Sequence, residues 1–94
     1  MKKSFDLIVT RHPALVDLLL ERGYESKKIT SHVTVDDVRG KNVCGVLPHA
    51  LSALTESYTE IPLSLSPSDR GKELTLARLR EIAGEAVTYK VTIR

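Results

Sequence analysis

Two short segments of the sequence place a histidine beside a proline, each between a run of strand-forming residues and an apolar run typical of a helix. An arginine guanidinium carries a permanent charge, and an imidazole accepts and donates protons near neutral pH. Such groups could bind a phosphate and move protons during its cleavage. The candidate residues of the two segments are Thr10, Arg11, His12, Gly45, Leu47, Pro48 and His49.

A third polar segment, residues 66–72, offers hydroxyls, a guanidinium and a glycine. Its candidates are Ser66, Ser68, Arg70 and Gly71. Each candidate also has an ordinary structural interpretation. The two histidines could simply begin helices, and Arg70 could pair with Asp69 or Glu73. Gly71 could serve only to permit a positive φ angle.

The elements that would position these residues alternate between strand-like and helix-like runs. Strand-forming runs lie at residues 5–10, 28–33, 42–46, 60–65 and 87–93, and helix-like runs lie at 14–22, 48–55 and 73–83. A capping box at Thr34 with Asp37 predicts a further short helical turn that ends at Gly40. This order predicts an α/β fold: one Rossmann-like domain with a mostly parallel open sheet and helices on its faces.

The last strand-forming run has a period of two, with Val87, Tyr89, Val91 and Ile93 alternating with polar residues. This pattern is typical of a strand with one wet face. It predicts a C-terminal edge strand that is antiparallel to its neighbour or lies near a dimer contact. By contrast, His32 falls inside the second predicted strand, where a structural role is the simpler interpretation.

In an open parallel sheet, ligands bind beyond the carboxyl ends of the strands, where loops enter helix N-termini. The three polar segments each follow a predicted strand, so we expect them to open on the same edge. The convergence of two arginines and two histidines there is a stronger indication of a binding site than any of these residues alone.

Composition excludes several classes of function. The net charge of +2 is spread along the chain, which is unlike the basic stripe of a duplex-binding protein. Cys44 is the single cysteine and lies in an apolar run, so we interpret it as a core residue. No apolar run reaches the roughly 20 residues that span a bilayer, and the start does not resemble a signal peptide. We therefore expect a cytoplasmic protein without membrane contact.

Known cofactor motifs are missing from the sequence. There is no glycine-rich dinucleotide fingerprint, no Walker motif, no His-x-x-x-His pair and no dense carboxylate cluster. We therefore expect neither a cofactor nor a metal. In an RNA-type substrate the 2′-hydroxyl can itself attack the adjacent phosphate, and arginine with histidine suffices to stabilise charge and transfer protons.

The segments 9–13, 45–49, 63–65 and 70–74 together resemble small stand-alone accessory proteins of type III CRISPR systems, the CRISPR-associated ring nucleases or a close sister group. The similarity covers essentially the whole chain, in order. It implies a Rossmann-like, CARF-like domain over residues 1–94 that forms a homodimer. Such a dimer would bind cyclic oligoadenylate, in particular the tetra-adenylate ring, across its two-fold axis.

The resemblance further implies an activity. Proteins of this kind linearise the ring without a metal and so switch off the antiviral signal, leaving a 2′,3′-cyclic phosphate. Carried onto this chain, the resemblance assigns Arg11 and Arg70 to charge stabilisation and His12, then His49, to proton transfer. Five further positions would shape the cleft or bind phosphate: Thr10, Gly45, Leu47, Pro48 and Gly71. Ser66 and Ser68 are substrate-binding candidates in the same loop as Gly71.

Three other functions stay open. The same dimer could bind the cyclic nucleotide as a sensor or sponge without cutting it. Residues 8–12 also resemble the Arg-His opening of histidine phosphatases, although a proline follows His12 where that family has glycine. The chain could also be a partner-binding subunit without a small-molecule site.

Overall fold

A computed structural model describes residues 4–69, 71 and 73–93 of the chain. Its strands are β1 (Ser4–Phe5), β2 (Leu7–Val9), β3 (Glu25–Ser26), β4 (Ile29–Thr30), β5 (Asn42–Gly45), β6 (Ser57–Glu60) and β7 (Val87–Tyr89). Its helices are α1 (Pro13–Glu21), α2 (Val35–Val38), α3 (His49–Ser52) and α4 (Leu76–Ile82), and a 3-10 turn spans Pro67–Asp69. Within this part of the chain, no helix combines the length and apolar character needed to cross a bilayer.

The main sheet has five strands in the order β4-β2-β5-β6-β7. The first four run parallel to one another, and β7 pairs with β6 in the antiparallel sense. A separate parallel pair, β1 with β3, precedes β2 and β4 in the chain. The prediction of an α/β fold with a mostly parallel sheet and an antiparallel edge strand is therefore confirmed.

Two apolar layers cover the sheet. One contains Ile8 of β2 with Leu18 and Leu19 of α1 and Leu79 of α4. The other contains Leu7 and Val9, the neighbours of Ile8 in the same strand, with Val38, Val43 and Tyr58. Successive side chains of a strand point to opposite faces, so β2 is buried on both sides, as the central strands of doubly wound sheets are.

The strand order reverses beside β2. The chain passes from β2 through α1 to β4 on one side, and then through α2 to β5 on the other side. Loops that leave neighbouring strands in opposite directions open a crevice at their carboxyl ends, and ligands of open α/β sheets bind there. The crevice between β2 and β5 is therefore where the fold places a site.

The predicted extents of two interior strands were wrong. The run at 28–33 yields only β4, so His32 lies in the following turn and not in a strand. The run at 60–65 is mostly outside the sheet, because β6 is Ser57–Glu60 and beyond it only Leu63 forms an isolated bridge, to Ala83. Pro62 lacks the N–H that a central strand must donate, which favours the exit of the chain there.

Element ends follow local chemistry. The predicted turn at Thr34 is present, since the Asp37 carboxylate accepts a hydrogen bond from the Thr34 N–H at 2.7 Å. Helix α4 begins after Thr75, whose hydroxyl accepts from the Arg78 N–H at 3.1 Å, and so starts later than Glu73. The C-terminal strand is also shorter than the alternating run predicts, because β7 ends at Tyr89.

Candidate functional site

A cavity of about 460 Å³ lies at the carboxyl edge of the sheet, over the crevice between β2 and β5. Residues that follow three neighbouring strands line it: Thr10, Arg11 and His12 after β2, Ser31, His32 and Val33 after β4, and Val46, Leu47 and Pro48 after β5. The cavity therefore draws on loops that are distant in sequence and adjacent in the sheet. Its volume is in the range of small-ligand sites.

The turn after β2 places two potentially reactive side chains at the start of α1. The Thr10 hydroxyl accepts a hydrogen bond from the His12 N–H at 3.1 Å, and His12 precedes Pro13 with extended backbone angles. Arg11 and His12 are exposed, and their side chains form no hydrogen bond or ion pair with any residue that the structure describes. The N-terminus of α1 adds a partial positive charge at this point.

The turn after β4 has the same construction. The Thr30 hydroxyl accepts from the His32 N–H at 3.3 Å and donates to the His32 carbonyl at 2.9 Å. The two turns lie side by side, because the Thr10 N–H donates to the Thr30 carbonyl at 3.0 Å. We call the segments Thr10–His12 and Thr30–His32 the paired threonine turns.

The third wall depends on a close approach between β5 and β2. Gly45 has φ +136°, and a Cβ at this position would lie 1.9 Å from the Val9 carbonyl oxygen. The Val46 N–H then donates to the same oxygen at 3.2 Å. Only glycine permits this backbone conformation and this proximity together, so Gly45 shapes the floor of the crevice without lining the cavity.

A buried tyrosine fixes the loop that follows Gly45. The Tyr58 hydroxyl donates to the Gly45 carbonyl at 2.8 Å and accepts from the Leu47 N–H at 3.1 Å. Burial raises the pKa of the Tyr58 hydroxyl, so that it stays protonated and keeps donating. The apolar wall formed by Leu47 and Pro48 is thereby held in one position.

His49 lies just beyond this wall. It is the first residue of α3, it is exposed, and it is not among the residues that line the cavity. Its carbonyl accepts from the Ser52 hydroxyl at 3.1 Å, which is a helix contact. Leu47 and Pro48 thus reach the cavity, whereas the predicted role of His49 in proton transfer stays a prediction.

The third polar segment forms a local network. Asp69 accepts hydrogen bonds from the Ser66 N–H at 2.9 Å and from the Ser66 hydroxyl at 3.0 Å, and the Ser66 and Ser68 hydroxyls lie 2.7 Å apart. Arg78 donates to both oxygens of Asp69, at 3.0 and 2.9 Å. The Arg78 guanidinium holds the pKa of Asp69 well below its usual range.

This third segment and the cavity share no described residue. Ser66, Ser68 and Gly71 are absent from the lining, and Gly71 is exposed with φ +72°. Arg70, the predicted partner of Arg11, lies outside the described residues. The convergence of the first two segments is therefore visible in the structure, and that of the third stays a prediction.

Sequence reasoning misses His32. Because the run at 28–33 looks like a strand, the pattern favours a structural role for His32, yet this residue lines the cavity beside Ser31. A signal is present: a threonine two positions before a histidine occurs at the end of the first predicted strand, at Thr10, and again within the second, at Thr30. Threonine in this position can bond the backbone two residues on and end a strand.

The charge of the lining is one-sided. Among the described residues that line the cavity, Arg11, His12 and His32 are the charged or titratable side chains, and no carboxylate is present. A second, more open cavity of about 470 Å³ shares Thr10, Arg11 and Ser31 with the first. An anionic ligand with apolar parts matches this combination of a cation, imidazoles and apolar walls. No cluster of three or more His, Cys, Asp or Glu side chains in the described part of the chain could hold a metal.

The fold and the site define a doubly wound α/β domain whose strand-order reversal carries a cavity suited to an anion. Residues 7–92 match the model of the family described as "Putative CRISPR-associated protein (Cas_VVA1548)". The chain belongs to this family. Neither the curated proteins nor the solved structures contain a match to the chain.

Proposed function

We propose that this CRISPR-associated protein is a metal-independent ring nuclease that binds cyclic oligoadenylate, in particular cyclic tetra-adenylate, and linearises it. Cleavage would end the antiviral signal of a type III CRISPR system. The observation that carries the proposal is the cavity in which Arg11, His12 and His32 face an anion-sized space without a described carboxylate. Membership in a CRISPR-associated family supports the biological setting.

The ligand chemistry follows from the lining. The Arg11 guanidinium has no partner among the described side chains, and its planar N–H donors match the acceptor oxygens of a phosphodiester. Adenine bases require apolar surface, which Val46, Leu47 and Pro48 supply. An oligonucleotide combines phosphates with bases that have apolar faces, so it matches both parts of this lining. Because the charge of the chain is scattered and not gathered in a basic stripe, we do not expect a nucleic-acid duplex as the ligand.

The size of the cavity supports a homodimer. A volume of about 460 Å³ accommodates part of a four-nucleotide ring and not the whole ring. Two copies related by a two-fold axis would present the same loops to opposite sides of a ring that has two-fold symmetry itself. We propose that the ring is bound between two such edges.

The cleavage step needs no group from outside the chain. The 2′-hydroxyl oxygen forms a bond to the neighbouring phosphorus while the bond from phosphorus to the 5′-oxygen breaks. A base takes the proton of the 2′-hydroxyl, and an acid gives a proton to the 5′-oxygen, which leaves a 2′,3′-cyclic phosphate and a 5′-hydroxyl. Arg11 stabilises the charge that develops on the non-bridging oxygens, and His12 transfers one proton.

The remaining predicted residues keep supporting roles in the proposal. Arg70 and Gly71 would contact a second phosphate, with Ser66 and Ser68 beside them. His49 would stand at the rim of the cleft as an alternative proton donor. Thr10 acts through its hydrogen bond to the His12 backbone, which fixes the turn that presents Arg11.

The decisive experiment incubates the purified protein with cyclic tetra-adenylate in the presence of EDTA and separates the products by chromatography with mass detection. We expect linear adenylates ending in a 2′,3′-cyclic phosphate. Stoichiometric retention of an intact ring would show a sensor or sponge instead. If calorimetry detects no binding of cyclic tetra-adenylate, a partner-binding subunit without a small-molecule site is the remaining interpretation. Glu85→Ala, an exposed substitution away from the cavity, serves as the matched control and should cleave like the wild type.

A further inference from the structure

The paired threonine turns are two copies of one local device on neighbouring strands. In each, a threonine hydroxyl accepts the N–H of the histidine two positions later, at 3.1 Å for His12 and 3.3 Å for His32. Parallel pairing of β2 with β4 places Val9 opposite Thr30, so the turns leave the sheet at nearly the same level. The two histidines then line the same cavity as Arg11, which directly precedes His12 in the chain.

No contact with a described residue explains why a histidine side chain stands at position 32. It is exposed, and its imidazole forms no hydrogen bond or ion pair with any described residue. The turn after β2 brings Arg11 and His12 toward it, and the loop after β5 brings apolar Val46 and Leu47. The helix α2 follows the turn that holds His32. Its Asp37 carboxylate already accepts a hydrogen bond from the Thr34 N–H at 2.7 Å.

We infer that His32 is the second proton-transfer residue of the site and that His12 and His32 act as a pair, one as base and the other as acid. This inference rests on the proposed ring cleavage and replaces His49 in that role. The reasoning is chemical: cleavage by a 2′-hydroxyl takes one proton from the nucleophile and gives one to the leaving 5′-oxygen. Two imidazoles that line the cavity holding one bound phosphate can perform both transfers.

The step balances with these residues alone. One histidine, neutral before reaction, accepts the 2′-hydroxyl proton as the bond from the 2′-oxygen to phosphorus forms. The other, protonated before reaction, gives its proton to the 5′-oxygen as the bond from phosphorus to that oxygen breaks. The pair ends with its protonation states exchanged, and solvent restores them.

The first test compares wild type with His32→Ala and His32→Gln on cyclic tetra-adenylate in EDTA. We expect kcat to fall by about 10²–10⁴-fold while KM changes less than about threefold. The bell-shaped pH profile of kcat should lose one limb in His32→Ala and the other limb in His12→Ala. Because His32 is exposed, both His32 variants should keep the wild-type melting temperature, and Glu85→Ala controls for handling.

The second test uses a ring in which sulfur replaces the 5′-bridging oxygen. A thiolate leaves without a proton, so the variant that lacks the acid should recover most of the wild-type rate on this ring. The variant that lacks the base should not. Recovery in one of His12→Ala and His32→Ala, and in that one alone, supports the pair and assigns the roles.

Other outcomes overturn the inference. A His32→Ala kcat within threefold of wild type, or a larger loss in His49→Ala, would show that His32 is not the second group. A rise in KM equal to the loss in kcat/KM would show a binding role. If the wild type itself leaves the ring intact, the proposed function fails and His32 has no reaction to serve. If the wild type cleaves the ring but His32→Ala cleaves it at nearly the same rate, the proposed function stands and only the role of His32 is wrong.

Discussion

The paired threonine turns and the third polar segment, residues 66–72, both contain hydroxyl side chains but differ in how their charged groups are paired. Both regions hold hydroxyls bonded to nearby polar groups. In the third segment the described carboxylate is paired, since Arg78 of α4 binds Asp69 and also Glu81 at 3.0 Å. In the turns, the Arg11 guanidinium has no carboxylate partner among the described residues.

This difference distinguishes polar groups that stabilise the fold from polar groups that are available to bind a ligand. A guanidinium that already binds two carboxylates stabilises the packing of α4 against its loop, and a ligand would have to displace them. A guanidinium at a cavity edge with free donors can bind an incoming anion at no such cost. Residue type alone therefore does not identify the site; the partners of each residue do.

The largest effect should come from Gly45, which pairs with Val9 just before the first of the paired threonine turns. Gly45→Ala places a methyl group 1.9 Å from the Val9 carbonyl oxygen at φ +136°, so the two strands must separate. We expect the free energy of unfolding to fall by about 2–6 kcal/mol, the sum of steric overlap and backbone strain. Urea denaturation measures this fall.

Gly71→Ala in the third segment is the matched control. Gly71 has φ +72°, but beyond its chain neighbours no atom of the described residues lies within 4 Å of the point that an added methyl group would occupy, so we expect only backbone strain of about 1–2 kcal/mol. Equal losses in the two variants would contradict the view that the crevice depends on the close approach of β5 to β2.

The next effect concerns the arginines. Arg11→Ala should lower ring turnover by about 10- to 150-fold, which corresponds to roughly 1.5–3 kcal/mol for a lost charged hydrogen bond. Its urea midpoint should stay at the wild-type value, because the Arg11 side chain supports no other described residue. Turnover assays and urea titrations on the same samples provide both numbers.

Arg78→Ala should show the opposite pattern. Its urea midpoint should drop, because Asp69 and Glu81 lose their partner and Asp69 keeps only Ser66. The comparison between the two regions fails if Arg11→Ala destabilises the fold as much as Arg78→Ala does.

The smallest effect is one of pH. Arg78 lowers the pKa of Asp69 in the folded state below its ordinary value of 3.8, so the ionised form stabilises the fold. This contribution is complete above about pH 5, where the unfolded carboxyl is also ionised, and is lost as the pH falls toward the lower, folded-state pKa. Between about pH 5 and pH 3, the urea midpoint of wild type should therefore fall further than that of Asp69→Asn.

Asp36→Asn is the control for this titration, because Asp36 is exposed and has no hydrogen-bond partner among the described residues. Its midpoint should follow wild type over the same range. If Asp69→Asn and wild type respond equally to acid, the Arg78 pair contributes nothing measurable to stability.

The sequence predicts the fold class well because alternation of strand-like and helix-like runs leaves few ways to bury both faces of a sheet. It misplaces β6, since the apolar run at 60–65 is more strand-like than Ser57–Glu60. Tyr58 and Thr59 are buried there because their hydroxyls find partners, Tyr58 on the Gly45–Leu47 loop and Thr59 on Thr88. Such partners come from distant segments and cannot be seen in a local pattern.

The site is predicted only in part for the same reason. A helix that begins with proline directly after a buried strand marks the sheet edge, which locates the turn at Thr10–His12 and the wall at Leu47 and Pro48. His32 is missed because its run continues the strand pattern past Thr30. The Thr30 hydroxyl bonds both the N–H and the carbonyl of His32 and so replaces strand pairing at an edge where the described sheet has no outer neighbour.

One buried atom gives the protein an internal reporter. Cys44 is the sole thiol of the sequence and sits in β5, fully shielded from solvent, one residue before Gly45. A thiol reagent can reach its sulfur only when the middle of the sheet opens. The rate of modification therefore measures how often β5, which lies beneath the cavity, opens locally. A ligand that slows this modification would reveal its binding in the cavity without any label added to the chain.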